Sequence, residues 1–88
     1  MVKREAVWKK AMPVTGLNPD IWRQDQCGAL IYKNEYGNRR SLYGWEIDHI
    51  TPESKGGKDR LSNWRPLQWH NNASRQAGRL TCPIKSLV

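Results

Sequence analysis

The chain has 88 residues, a length that predicts one small domain with a modest hydrophobic core. Its 15 Lys and Arg residues outnumber its 8 Asp and Glu residues, and the net charge of +7 favours a polyanionic partner, nucleic acid above all. No apolar run approaches the ~20 residues of a membrane-spanning helix, and no apolar stretch follows the basic N-terminal residues. We therefore expect a cytoplasmic protein with no membrane partner.

The two cysteines, Cys27 and Cys82, are too few for a disulfide framework, and the chain has no Cys-x-x-Cys pair. We expect both thiols to be free. The five tryptophans are many for this length, and each can bury ~150–250 Å² of surface. Two interpretations stay open: all five belong to the core, or one or two are exposed and stack on bases.

Residues 3–12 have the apolar spacing of a helix, with Val7 and Ala11 four positions apart on one side. Pro13 ends this helix, because the residue before a proline avoids helical geometry. The Thr-Gly-Leu-Asn-Pro run that follows has loop chemistry. Residues 1–28 are therefore predicted to form an N-terminal helix and a loop.

Residues 29–43 are predicted to form a supporting β-hairpin. The Ala-Leu-Ile-Tyr run at 29–32 favours a strand, and the Tyr-Gly-Asn sequence around Gly37 favours a turn. Arg39 and Arg40 lie on the tip or the return arm of this hairpin. They either reach phosphate groups or belong to a solvated basic surface, and the sequence favours neither interpretation.

Residues 44–78 are predicted to form a strand, a long loop, a return strand and a helix. The first strand ends near Pro52, because proline cannot donate a hydrogen bond to a β-ladder. Gly56 and Gly57 lie within the loop, and the return strand occupies residues 63–68.

The predicted helix begins near Asn71, which is a suitable N-cap, and ends at Gly78, which is a suitable C-terminal cap. Residues 79–88 are predicted to form a tail. Leu80 and Ile84 are the residues through which this tail would dock on the domain.

The polar residues of the 44–78 segment form an ordered set. An Asp-His pair ends the first strand, an asparagine follows the histidine by fourteen residues, and a second asparagine follows nine residues later. This set resembles the HNH endonuclease family, through the motifs Asp48-His49-Ile50-Thr51-Pro52, Gly56-Gly57, Asn63 and Asn72-Ala73-Ser74-Arg75.

The resemblance implies a fold as well as an activity. The fold is α+β, with a small ββα-metal core made of a two-stranded hairpin with a long loop plus a helix. An N-terminal helix and an extra β-hairpin flank this core. Residues 1–88 would then be a single HNH nuclease domain that hydrolyses phosphodiester bonds in DNA.

The resemblance also assigns a role to each matching position. His49 would be the general base that takes a proton from water, and Asn63 would pin the loop and orient His49 through a hydrogen bond. Asp48 and Asn72 would hold one divalent cation, for which Mg²⁺ is the best fit and Mn²⁺, Ni²⁺ or Zn²⁺ are alternatives. His70 is a less favoured substitute for Asn72, because residues two positions apart on a helix do not share a face.

Basic residues around these motifs are the expected contacts to DNA: Arg39, Arg40, Lys55, Lys58, Arg65 and Arg75. The last of them, Arg75, lies three positions after Asn72 on the predicted helix, and its planar guanidinium suits phosphate. Glu46 shares a strand face with Asp48. It either supports the metal ligands or is an ordinary surface glutamate in an ion pair.

Many members of the family carry a zinc-binding knuckle of four cysteines, and at most one of them is kept here. Cys27 matches one position, whereas Gln24, Gln68 and Asn71 stand where other cysteines would lie. One cysteine cannot hold tetrahedral zinc. We therefore expect no structural zinc, packing of Trp and Leu side chains in its place, and a buried Cys27 side chain.

The leading functional hypothesis is a metal-dependent DNA endonuclease, and the main alternative is a non-catalytic DNA-binding module on the same scaffold. A third possibility is a binder of junctions or nicks in which cleavage is incidental. The expected partner is double-stranded, nicked or junction DNA, and family association adds a homodimer or a larger phage or restriction-type complex. Mostly phosphate contacts are expected in so small a domain, and hence weak sequence preference.

Overall fold

The computed structural model describes residues 3–85 and confirms the predicted α+β class. Within this range the helices and strands are, in chain order, α1 (Lys3–Trp8), β1 (Trp22–Gln24), β2 (Leu30–Tyr32), β3 (Trp45–His49), β4 (Trp64–Gln68) and α2 (Trp69–Ser74). The strands form two antiparallel pairs, β1 with β2 and β3 with β4. Neither helix of the described range has the length and apolar character needed to cross a membrane.

The central element is the β3–β4 hairpin. Its register runs from the Trp45–Gln68 pair to the His49–Trp64 pair. The connecting loop, residues 50–63, contains two short 3₁₀ turns. α2 follows β4 without a break, so the predicted order of strand, loop, strand and helix is confirmed.

The supporting hairpin differs from the prediction. β2 pairs with β1 and not with a return strand inside residues 29–43. Tyr32 still donates a backbone hydrogen bond to Tyr43, at 3.0 Å, but Lys33–Glu35 form a 3₁₀ turn and the chain continues through further turns. Trp22 packs edge-on against Tyr32 and Tyr43, with ring centroids 4.7 and 5.2 Å apart. Aromatic packing, which the sequence pattern does not reveal, therefore joins these segments in place of a β-ladder.

The first helix is shorter than the predicted helix at 3–12 and ends at Trp8. Met12 instead forms an antiparallel bridge with Gln24, in which each backbone N–H donates to the other residue's carbonyl at 2.9 and 2.8 Å. The chain has to leave helical geometry to make this bridge. A tertiary contact therefore outweighs helix propensity over the last predicted turn.

The hydrophobic core lies between α1 and the central hairpin. Trp8 and Trp45 meet there with ring centroids 5.3 Å apart, and Ile31 belongs to the same cluster. Each indole N–H donates to a backbone carbonyl, that of Trp8 to Pro19 and that of Trp45 to Lys33. All five tryptophans are buried or half-buried, which favours the core interpretation over exposed rings that stack on bases.

The second helix is capped by Gln68 and not by the predicted Asn71, and it ends at Ser74, before the predicted cap Gly78. The Oε1 atom of Gln68 accepts the backbone N–H groups of His70 and Asn71 at 2.7 and 3.0 Å. Because the side chain of Gln68 is fully buried, it holds the start of the helix directly against the end of β4.

The two cysteines form a disulfide, so the prediction of free thiols is wrong. The Cα atoms of Cys27 and Cys82 lie 5.5 Å apart although 55 positions separate them in the chain, a proximity that spacing alone cannot show. The bond ties the C-terminal segment, residues 79–85, to the β1–β2 connection. Residues 86–88 of the predicted tail lie outside the described residues.

Candidate active site

Asp48 and His49 are neighbours on β3, so their side chains project to opposite sides of the strand. Asp48 is 2% exposed, whereas His49 is half-buried. Arg65 is the cross-strand partner of Asp48, and paired residues of antiparallel strands share a face. The Nε atom of Arg65 donates to Oδ2 of Asp48 at 2.8 Å. The first predicted metal ligand is therefore also a member of a buried ion pair.

The interior position of Arg65 overturns the prediction that this residue contacts DNA. Arg65 is 8% exposed, and its Nη2 atom donates to the carbonyl of Gly78 at 3.1 Å. Its guanidinium is committed to Asp48 and Gly78 inside the protein. The strand register that turns Arg65 inward is not visible in composition or charge.

The second carboxylate oxygen of Asp48 has a different environment. Its Oδ1 atom lies 2.8 Å from Nη1 of Arg75, which makes an ion pair without hydrogen-bond geometry. This oxygen is buried and has no hydrogen-bond partner among residues 3–85. A buried charged oxygen is stable only beside a positive charge, and here Arg75 supplies it.

Asn72, on α2, also has a buried side-chain oxygen without a hydrogen bond within residues 3–85. Its Nδ2 atom donates to Oε1 of Glu46 at 2.8 Å, which fixes the orientation of the amide. Its Oδ1 atom is buried and without a hydrogen-bond partner in the described range. Glu46 also accepts two hydrogen bonds from Arg39, at 2.7 and 2.9 Å. The Arg39 guanidinium first, and then the Asn72 amide, hold the pKa of Glu46 below its usual value, although partial burial opposes them.

These two buried oxygens, which have no hydrogen bond within the described residues, belong to Asp48 and Asn72, the residues that the resemblance assigns to a divalent cation. Among the buried side-chain polar atoms of residues 3–85, the indole nitrogen of Trp64 is the other one without a partner. A carboxylate and an amide oxygen suit Mg²⁺ or Mn²⁺, which complete their coordination shells with water. The donor set therefore fits such an ion. His70 is exposed and does not line the nearby pocket, whereas Asn72 does.

A pocket of about 470 Å³ opens beside α2 and the start of the 50–63 loop. Asn72 lines it together with three of the predicted DNA contacts, Arg39, Lys55 and Arg75. Of the other predicted contacts, Lys58 lines a separate surface pocket along the loop, and Arg40 is exposed on the turn before β3. The positive charge around Asn72 is the electrostatic setting that a phosphate group requires.

Two acidic residues from the loop, which the sequence analysis did not single out, surround the ring of His49. The Nε2 atom of His49 lies 2.6 Å from Oδ1 of Asp59 and 3.4 Å from Oε1 of Glu53. One ligand atom from each of these three side chains lies within 4.8 Å of the others, a spacing that also suits a metal ion. Both carboxylates are well solvated, at 69% and 68% exposed, so they need no cation to be stable. The hydrogen bond from His49 holds the pKa of Asp59 below its usual value.

Asn63 secures the loop and does not contact His49. Its Oδ1 atom accepts the backbone N–H of Thr51 at 2.8 Å, and its Nδ2 atom donates to the carbonyls of Thr51 and Lys58 at 3.1 and 2.9 Å. The predicted hydrogen bond from Asn63 to His49 is absent from the described residues, because the loop backbone occupies the whole amide group. A Cβ atom added at Gly57 would lie 1.8 Å from the Thr51 carbonyl oxygen, so the same turn also requires a glycine.

A buried polar network occupies the position of the family's zinc knuckle, where packing of Trp and Leu side chains was expected. The carboxylate of Asp25 accepts two hydrogen bonds from the β1–β2 connection and two from Gln68 N–H and Asn71 Nδ2, all at 2.9–3.0 Å. The Asn71 side chain also donates to the Ile84 carbonyl and accepts the Ile84 N–H, at 2.9 and 2.8 Å. This network and the disulfide join β1–β2, α2 and the C-terminal segment. The sequence analysis missed Asp25, because two of its four partners, Gln68 and Asn71, lie more than forty positions away in the chain.

The sequence motifs around this site agree with a known family of nucleases. A sequence model described as HNH endonuclease matches residues 26–75, more than half of the chain. The match contains Asp48, His49, Asn63 and Asn72. No curated protein and no solved structure matches the chain. From the family match, supported by the strand, loop, strand and helix that carry these residues, we conclude that the chain belongs to the HNH endonuclease family.

Proposed function

We propose that the protein is a metal-dependent DNA endonuclease that hydrolyses phosphodiester bonds. One observation carries the proposal: the buried Oδ1 atoms of Asp48 and Asn72 have no hydrogen-bond partner within residues 3–85, and Asn72 borders a basic pocket. A carboxylate and an amide oxygen in this state are what a divalent cation needs from a protein. Membership of a nuclease family supports the same function at a coarser level.

Mg²⁺ is the cation that we expect at Asp48 and Asn72, with Mn²⁺, Ni²⁺ or Zn²⁺ as alternatives. When bound, it would neutralise charge on the scissile phosphate and on the departing 3′ oxygen. The protein orients both ligands through their other atoms, since Arg65 holds Oδ2 of Asp48 and Glu46 holds Nδ2 of Asn72. Such preorganisation fixes the positions of the two Oδ1 atoms that would bind the ion.

His49 is the general base of the proposed reaction and takes a proton from the attacking water. A neutral imidazole can do this, because one of its ring nitrogens has a free lone pair that accepts a proton. β3 ends at His49, and the side chain keeps 22% of its surface exposed, so water can reach the ring. Asn63 supports this step by holding the backbone of the loop whose Asp59 side chain hydrogen-bonds to His49.

The substrate is double-stranded or nicked DNA, bound mainly through phosphate groups. Arg39, Lys55 and Arg75 would contact the strand at the pocket, and Arg40 and Lys58 would extend the basic surface. Arg75 also lies 2.8 Å from Oδ1 of Asp48 and neutralises that carboxylate. Binding through phosphates predicts that affinity falls steeply as salt is added. For each tenfold rise in salt concentration, log K should fall by ~0.9 for every phosphate that the protein neutralises.

A supercoiled-plasmid assay tests the proposal, with the protein in EDTA or with Mg²⁺, Mn²⁺, Ni²⁺ or Zn²⁺. We expect nicked or linear product with Mg²⁺ or Mn²⁺ and none in EDTA. His49→Ala should abolish cleavage, whereas His70→Ala, which removes the other histidine from an exposed position, should retain it. A gel shift in EDTA with both variants separates loss of chemistry from loss of DNA binding.

The second candidate is a non-catalytic DNA-binding module, and the ion pair between Arg75 and Asp48 favours it. That pair already neutralises the carboxylate at 2.8 Å, as a cation would. Absence of cleavage with all four ions, together with a gel shift that His49→Ala retains, would establish this alternative in place of the nuclease.

A further inference from the structure

The hydrogen bond between His49 and Asp59 constrains where the imidazole carries its hydrogen. The Nε2 atom of His49 lies 2.6 Å from Oδ1 of Asp59. An ionised carboxylate has no hydrogen to donate, so Nε2 must be the donor. In the neutral ring, Nδ1 is then the nitrogen with a free lone pair. The Asp59 carboxylate is ionised at neutral pH because the ordinary pKa of aspartate is 3.8, and this hydrogen bond is the main cause of a pKa below that value.

The loop holds the backbone on both sides of Asp59. Nδ2 of Asn63 donates to the carbonyl of Lys58, the residue before Asp59, at 2.9 Å. The backbone N–H of Asn63 donates to the carbonyl of Arg60, the residue after it, at 2.8 Å. Asp59 is thus fixed by its neighbours although its own side chain is 69% exposed. Asn63 therefore influences His49 indirectly: it holds the backbone around Asp59, and Asp59 hydrogen-bonds to His49.

We propose that Asp59 is a positioning residue for His49: it holds the ring hydrogen on Nε2 and so makes Nδ1 the nitrogen that accepts the proton of the attacking water. This inference rests on the proposed nuclease function for its consequence, but not for the geometry itself. A carboxylate that fixes the tautomer of a catalytic histidine is a recurring device in enzymes, because the wrong tautomer cannot act as a base.

Glu53 offers a matched control for this role. Its Oε1 atom lies 3.4 Å from the same Nε2 atom, and its side chain is 68% exposed, close to the 69% of Asp59. The two carboxylates place similar charge near the ring, but only Asp59 lies at the short distance of a charge-assisted hydrogen bond. Glu53→Gln and Asp59→Asn therefore remove the same charge with different consequences for the tautomer.

Long-range ¹H–¹⁵N NMR spectra of the full chain, without metal and at about pH 8.5, read the tautomer directly, because the neutral ring carries its hydrogen on one nitrogen and not on the other. The His49 signals are assigned by their absence in His49→Ala. We expect the Nε2–H form in the wild type and in Glu53→Gln, and a mixture of tautomers in Asp59→Asn, whose amide can donate as well as accept. An unchanged His49 spectrum in Asp59→Asn would overturn the proposal.

Kinetics with plasmid and Mg²⁺ provide the second readout. Asp59→Asn should lower kcat about tenfold to a hundredfold with KM within about twofold, as expected when a hydrogen bond that orients a functional side chain is removed. In Glu53→Gln, kcat and KM should both stay within about twofold of the wild-type values. Asp59→Glu should have a higher kcat than Asp59→Asn. Equal losses in Asp59→Asn and Glu53→Gln would mean a general charge effect and would overturn the positioning role. An inactive wild type would defeat the nuclease proposal instead, and the NMR result would still decide the tautomer.

Discussion

Asp48 and Arg65 form an ion pair across the central hairpin, with 2.8 Å between Oδ2 and Nε and both side chains nearly excluded from solvent. The residue that we propose as a metal ligand is therefore also part of the folded structure's interior. The two roles would use different oxygen atoms of one carboxylate, because Arg65 binds Oδ2, whereas Oδ1 has no hydrogen bond within residues 3–85 and is ion-paired with Arg75.

Replacing Asp48 with alanine is expected to lower the free energy of unfolding by about 3–5 kcal/mol, because the buried charge of Arg65 would lose its partner. Urea denaturation followed by tryptophan fluorescence measures the loss. Asp20→Ala, at an exposed turn position, is the control and should unfold like the wild type. Unchanged stability of Asp48→Ala would contradict the buried pair. Loss of cleavage in Asp48→Ala therefore does not by itself identify a metal ligand.

Asn72→Ala is the cleaner test of the cation site, because it removes a ligand oxygen and leaves the Asp48–Arg65 pair intact. We expect Mn²⁺ affinity, measured by titration calorimetry, to fall at least about tenfold. Stability without metal should change by only about 1 kcal/mol, the value of one hydrogen bond to Glu46. Asn34→Ala, an exposed asparagine in a 3₁₀ turn, controls for loss of an amide group. If His70→Ala weakened Mn²⁺ binding and Asn72→Ala did not, His70 would be the ligand.

The strand, loop, strand and helix of the core were predictable because short motifs with fixed spacing mark each part. The structure places each motif on or beside the element that it was expected to mark. The Asp48-His49 pair ends β3, Gly56-Gly57 lies in the loop, Asn63 precedes β4, and Asn72 lies on α2. Local chemistry decides these positions: strand propensity before Asp48, glycines in the loop, and an amide close to the start of a helix.

Features that depend on distant partners were not predictable. The inward turn of Arg65 depends on the β3–β4 register, and the Cys27–Cys82 bond depends on how the C-terminal segment returns to β1–β2. Asp25 looked like an ordinary polar residue, yet it is 1% exposed and accepts hydrogen bonds from Gln68 and Asn71, more than forty positions away. Each of these depends on the completed fold and not on neighbouring residues.

The disulfide is expected to contribute about 2–5 kcal/mol to stability, since it closes a long loop in a small domain. Denaturation with and without dithiothreitol measures this contribution. The Cys27→Ala/Cys82→Ala double variant should be as unstable as the reduced wild type and should not respond to the reductant. A wild type that is equally stable in both conditions would contradict the bond. Because disulfides persist mainly in oxidising surroundings, the result also bears on the predicted cytoplasmic location, which stays a prediction.

The lowered pKa of Glu46 makes part of the stability depend on pH. Arg39 is the main cause of the shift, so the Arg39–Glu46 pair contributes stability above the ordinary glutamate value of 4.5 and loses it as pH falls through the lower folded-state value. We expect Arg39→Gln to be less stable than the wild type at neutral pH, and the difference to shrink as acid protonates Glu46. Urea denaturation from about pH 7 down to pH 3 measures it. Arg40→Gln is the control, and a difference that stays constant with pH would refute the linkage.

The close approach of Gly57 to Thr51 makes glycine necessary for the shape of the 50–63 loop. A Cβ atom at position 57 would lie 1.8 Å from the Thr51 carbonyl oxygen and 2.9 Å from that of Pro52, so Gly57→Ala must push the loop apart. The Thr51 backbone is where Asn63 binds twice, and the same asparagine holds the carbonyl next to Asp59. We therefore expect Gly57→Ala to lose most cleavage activity while the core stays folded.

Hydrogen exchange of the Thr51 amide measures this local change, because Asn63 protects that N–H only while the loop keeps its shape. Exchange at Thr51 should speed up in Gly57→Ala, and exchange in β3 and β4 should not. Gly56→Ala is the matched control: its φ of 85° disfavours alanine by about 1 kcal/mol, but nothing lies within 4 Å of the added Cβ. Wild-type Thr51 protection in Gly57→Ala would show that the loop tolerates a side chain there. The Asn63 contacts would then not require glycine at that position.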